Sequence, residues 1–145
     1  MQRLTILVLV AATCAWLVAA DVAQAASLEV NLEHLRPAGT VRVQVFADAQ
    51  SWASGRQPIA SRIVAARGVS QVVSIDGLAP GRYAVRADQD AIDFEQVPLL
   101  ALARRGVSGN NAFCNRRGPA FERTSVAVGS GASNYSIHMF ICNNF

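Results

Sequence analysis

The stretch Leu78-Ala79-Pro80-Gly81-Arg82-Tyr83-Ala84-Val85 reads as a tight turn running straight into a strand. Pro80 presets φ at the first central position of the turn, Gly81 supplies the positive φ of a type II second position, and Tyr83 and Val85 alternate with Ala84. This pairing of turn and strand is a β-sandwich feature rather than an active site. The strand is expected to run to Ala87, with Tyr83 turned inward and its hydroxyl bonded to a backbone group near the corner.

Upstream of this turn, Val69 to Ile75 and Ile59 to Ala66 read as strands rich in β-branched residues, separated at Gly68, and Asp76-Gly77 is expected to end the former. Asp48 to Pro58 is small and polar, which reads as a loop; its Trp52 is a candidate ligand-stacking platform or a plug for the open end of the core. Val41, Val43 and Val45 alternate with Arg42 and Gln44 in a strand ending near Ala47. Leu28, Val30 and Leu32 alternate with Glu29, Asn31 and Glu33 in another, Ser27 to His34. With Pro37-Ala38-Gly39 between them, these two strands read as a hairpin.

Downstream, the strand pattern fails from Asp88 to Pro119. Within it Pro98 to Gly106 has proline at a first helical position, basic residues in the last turn and glycine after, so one short helix is expected. Glu122 to Val128 and Asn134 to Ile141 close the chain as strands. The class is all-β: a seven-stranded antiparallel Greek-key sandwich of immunoglobulin-like kind, with one short helix in an irregular crossover, 88–121.

Arg3 followed by the apolar run Leu4 to Val18, and then Ala23-Gln24-Ala25, has the form of a signal peptide over residues 1–25, leaving a single sandwich domain over 26–145. A periplasmic or secreted bacterial protein with no stable membrane span is therefore expected. Cys14 leaves with the leader, and the remaining pair, Cys114 and Cys142, is expected to form one disulfide in an oxidising compartment. In the chain-entropy account that bond stabilises by about 3.5 kcal/mol.

All 13 basic residues are arginine, against 10 acidic ones. The absence of lysine excludes Schiff-base chemistry and lysine general bases. No aromatic residues interleave with the arginines, which argues against nucleic acid as a partner. Arg104, Arg105, Arg116, Arg117 and Arg123 gather in the crossover and its exit. They read either as a site for an anionic partner, an envelope protein or an acidic glycan held by bidentate guanidinium contacts, or as a solvated basic face. Asp88, Asp90, Asp93 and Glu95 form a carboxylate cluster, a candidate calcium loop or a solvated acidic loop; no other cofactor is expected. His34 and His138 fall in expected strands and read as surface histidines. No G-x-S-x-G elbow and no H-E-x-x-H motif occurs in the sequence, so an enzyme is not expected.

Three segments together, Leu78 to Val85, Gly106-Val107-Ser108-Gly109-Asn110-Asn111-Ala112 and Gly118-Pro119-Ala120-Phe121-Glu122, resemble the bacterial exported proteins of the domain of unknown function 2141 family. The resemblance implies a transthyretin-like or prealbumin-like sandwich and carries no established activity. In this sequence the Leu-Asp pair of the family's acidic loop is Ile92-Asp93, and that loop is shortened. The expected function is thus an exported, non-catalytic binding or accessory module recognising its partner through the crossover. The rival is a transthyretin-like hydrolase of a small cyclic substrate, although this chain's Cys142-Asn143-Asn144-Phe145 does not match the characteristic carboxyl-terminal tetrapeptide of such hydrolases.

Overall fold

The computed structural model describes residues 25–89, 104–108 and 119–141. These form two sheets that enclose a common core. The strands are β1 (Ala26–Glu33), β2 (Thr40–Phe46), β3 (Ala60–Ala65), β4 (Ser70–Leu78), β5 (Gly81–Gln89), β6 (Arg104–Val107), β7 (Val126–Val128), β8 (Ala132–His138) and β9 (Phe140–Ile141), with short helices α1 (Ala49–Ser54) and α2 (Phe121–Thr124). One sheet has the order β4-β1-β8; the other runs β3-β2-β5-β6-β9, with β7 also pairing β5. No helix among the described residues is long and apolar enough to cross a membrane.

The period-2 patterns decide which faces meet. Leu28, Val30 and Leu32 from β1, Val73 and Ile75 from β4 and Ile137 from β8 face Val41, Val43 and Val45 from β2 and Val85 from β5, nearly all fully buried. Each such aliphatic side chain contributes about 1.5–3 kcal/mol of transfer free energy. A smaller cluster lies on the outer face of the larger sheet, where Phe46 and Ala84 are covered by Trp52 of α1 and Phe121 of α2.

The fold departs from the sequence reading in specific places. Among the described residues nine strands appear, and β1 runs parallel to β8, so the pairing is not wholly antiparallel. β1 and β2 are not a hairpin. After β1 the chain turns at His34, φ 62°, and Gly39, φ 74°, and enters the other sheet, where β2 pairs β3 and β5. The Asp48 to Pro58 segment contains α1, capped by Asp48 at its start and by left-handed Gly55, φ 64°, at its end. Asp76-Gly77 does not stop β4. Gly77, φ 78°, sits in a bulge where the register against β1 slips between Ala26 and Leu28, and the strand continues to Leu78.

The turn that opens β5 also differs. Gly81 is not among the glycines with positive φ; a Cβ there would lie 3.3 Å from the Tyr83 hydroxyl, so glycine leaves room for the folded-back ring. That hydroxyl donates to the Ala79 carbonyl at 2.6 Å, the expected corner bond. β5 extends past Ala87 to Gln89.

Residues 104–106, expected to finish a helix, belong instead to β6, laddered between β5 and β9; residues 98–103 lie outside the described residues. Gly106 permits that placement. A Cβ on it would collide with Ile137 Cγ2 and come within 2.6 Å of the His138 carbonyl oxygen, so the sheets approach here only because the side chain is absent. In Glu122 to Val128, α2 precedes β7. The final strand divides at buried Met139, where the chain passes from one sheet into the other.

Candidate functional site

On β1 the odd side of the alternation, Glu29, Asn31 and Glu33, faces away from the core, and in the β1–β8 register these residues stand beside Asn134, Ser136 and His138. Ser70 of β4 stands opposite Glu33 on the other flank. A polar network results. The Asn31 amide donates to Glu33 Oε1 at 3.1 Å and to Ser136 Oγ at 3.3 Å, while Ser70 Oγ donates to Asn31 Oδ1 at 3.2 Å. Glu33 Oε2 lies 3.1 Å from His138 Nδ1.

His34 joins this group through its backbone. An extended residue would point opposite to its neighbour Glu33. At φ 62° the alternation is broken, and the His34 ring lies 5.4 Å from that of His138, tilted by 30°. A left-handed non-glycine residue costs about 1–2 kcal/mol. One carboxylate oxygen of Glu33 and one ring nitrogen from each histidine all fall within 4.8 Å of one another; His34 is exposed and the other two are half-buried.

The cluster lies at the end of the sheets where β5 ends and β6 begins. The Met139 amide donates to the Glu33 carbonyl at 2.9 Å, immediately before β9 pairs β6, and β6 in turn pairs the end of β5 through Gln89 and Arg104. Buried Gln89 locks this end of the sheets. Its amide donates to the carbonyls of Arg36 at 2.6 Å and Ala38 at 2.9 Å, and its carbonyl accepts from the Arg36 amide at 3.0 Å. The end of β5 and the start of β6 thus lie together at this end of the sheets, with Gln89 bonded to the loop that begins with His34.

The residues singled out in the sequence are distributed as follows. Asp88 lies on β5 rather than in a loop, 3.5 Å from Arg86 and between Arg42 and Arg105 in the ladder. Asp90, Asp93 and Glu95 lie outside the described residues, as do Arg116, Arg117, Cys114 and Cys142. Arg104 and Arg105 are the first residues of β6; Arg123 is exposed on α2. Trp52 is 5% exposed, packs edge-on to Phe46 with centroids 5.5 Å apart, and donates its indole N–H to the Pro119 carbonyl at 2.8 Å. Both its face and its polar handle are thus engaged within the protein.

A family model described as an uncharacterised protein conserved in bacteria, domain of unknown function 2141, matches residues 30–136. The chain belongs to this family. In this DUF2141 protein the matched span begins in β1 and ends in β8, taking in Glu33, His34, the β5 corner and β6. No curated protein and no solved structure matches it.

Proposed function

We propose that this protein is an exported, non-catalytic binding or accessory module of the bacterial envelope, built on a Greek-key sandwich of transthyretin-like type. Its recognition surface is the end of the sheets from which the 88–121 crossover departs, where β5 ends and β6 begins. The observation that carries this reading is the convergence of Glu33, His34 and His138 at that end, on a frame fixed by buried Gln89. Polar and titratable groups held on rigid strands beside long connections are the usual makings of a recognition site.

The crossover adds its arginines, Arg104, Arg105, Arg116 and Arg117, as a site for an acidic glycan or an acidic face of an envelope protein. Asp90, Asp93 and Glu95 remain a candidate calcium loop on the same segment, without Asp88, which β5 holds beside Arg86. A Cys114–Cys142 disulfide would tie the crossover to the residue following β9.

A photo-crosslinking residue at exposed Ala38, with a control at exposed Ser130, tests this in the native envelope. One species captured from position 38 and not from 130 is the expected result. Equal capture from both removes the assignment of the surface. Turnover of cyclic amide or ester substrates by the purified protein replaces the reading with a hydrolase.

A further inference from the structure

The Glu33–His138 pair alone is a half-exposed carboxylate–imidazole contact of a common kind. Nothing in that pair calls for His34 to adopt a left-handed backbone beside it. The strained residue is the one whose ring completes a three-sided group of one carboxylate and two imidazoles. Backbone strain kept at a residue with ligand-capable chemistry points to a use for that side chain.

From this geometry we infer that Glu33, His34 and His138 form a binding site for a borderline divalent transition-metal ion, Zn²⁺ or Cu²⁺. The assignment rests on the reading of this end of the sheets as the recognition surface, and gives that surface its ligand. An oxygen and two imidazole nitrogens suit such ions; calcium and magnesium prefer sets composed of oxygen.

In a tetrahedral site with ligand bonds of about 2.0–2.1 Å the donor atoms are about 3.4 Å apart. Glu33 and His138 already approach to 3.1 Å, so closing the group from within 4.8 Å falls mainly to the exposed His34 side chain. The supporting shell is already in place. Asn31 holds one Glu33 oxygen while the other faces His138, and Ser70 and Ser136 hold Asn31. Three protein ligands leave a further coordination position open to water or to a donor group of an incoming partner.

The test is calorimetric titration of the full, tag-free chain with Zn²⁺, Cu²⁺, Ca²⁺ and Mg²⁺. One ion per chain is expected for Zn²⁺ and Cu²⁺, tighter for Cu²⁺ as the general affinity order requires, with no saturable response to Ca²⁺ or Mg²⁺ at this site. His34→Gly is the decisive variant. Glycine accepts the left-handed backbone, so the fold persists while a ligand is lost. Its Zn²⁺ affinity is expected to fall by more than about tenfold, the lower range for losing even a supporting partner. Glu33→Gln and His138→Gln are expected to do the same. The assignment is overturned by wild-type Zn²⁺ affinity in His34→Gly, or by the absence of one-to-one binding in the parent protein. Crosslinking from position 38 in metal-free buffer separates the two readings. If it persists while metal binding is absent, only the metal assignment falls; if it is lost while metal binding remains, only the partner surface does.

Discussion

Asp48 caps α1 with both carboxylate oxygens, Oδ1 accepting from the Ser51 amide at 2.8 Å and Oδ2 from the Ser51 hydroxyl at 2.7 Å. The amide bond first, and the hydroxyl bond after it, hold the Asp48 carboxyl below its ordinary value of 3.8. The folded chain therefore binds that proton less readily than the unfolded one. The stabilisation is complete above pH 3.8 and is lost as pH falls through the depressed folded value. Asp48→Ala is accordingly expected to lower the melting temperature at neutral pH, with the gap from the parent narrowing below pH 3.8; a gap that stayed constant on acidification would exclude the carboxylate as its source. Tyr83 offers a second single-atom test. Tyr83→Phe removes the donor to the Ala79 carbonyl and should cost about 1 kcal/mol, read as a shifted urea midpoint at unchanged slope. The corner bond was legible because proline, glycine and tyrosine fell in one short stretch. The use of Gly81 was not, since a glycine needed for space and one needed for positive φ look identical in sequence.

Two glycines within strands separate those two needs. At Gly77, φ 78°, an added Cβ meets nothing within 4 Å, so Gly77→Ala should cost about 1–2 kcal/mol of backbone strain alone and leave the pairing of β1 and β4 intact. Gly106 has the opposite problem, because an added Cβ meets Ile137 and the backbone of His138. Gly106→Ala should cost about 3 kcal/mol or more, with lost hydrogen-exchange protection in β6 and β9 before the other strands. Equal losses across all strands would show that β6 is not separately seated. The same contrast explains which elements were readable. β1 alternates along its whole length and β2 nearly so, and both declare themselves. Arg104-Arg105-Gly106 carries the signs of a helix end, and only the neighbouring ladders make it a strand. α1 had a usable signal: Asp48 followed three residues later by Ser51, with Gly55 one turn past Trp52, is a capped helix that the small polar composition disguised.

For the whole molecule, what sequence could not convey was association between distant segments. Glu33 and His138 become neighbours only through the register of two strands at opposite ends of the described chain, and no local pattern announces that pairing. Period-2 alternation put Glu33 and His138 on outward faces without saying that the faces were one. His34 gave no sign of its turn, because histidine, though enriched among the few left-handed residues that are not glycine, is far commoner in ordinary backbone. The hydrophobic inventory, by contrast, predicted the core well, since every alternating valine of β2 is buried there. The parallel alignment of β1 and β8 has a mechanical consequence. A pull applied at residues 25 and 138 drags these strands past each other and loads their hydrogen bonds side by side, so they must fail together. A pull at Glu33 and Ser70, partners at one end of the antiparallel β1–β4 pair, opens its bonds one after another. Single-molecule stretching should thus record a clearly higher rupture force in the first geometry than in the second, and equal forces would mean that the β1–β8 ladder bears no load. A protein held by these two points would resist tension along an axis on which the β1–β4 seam does not.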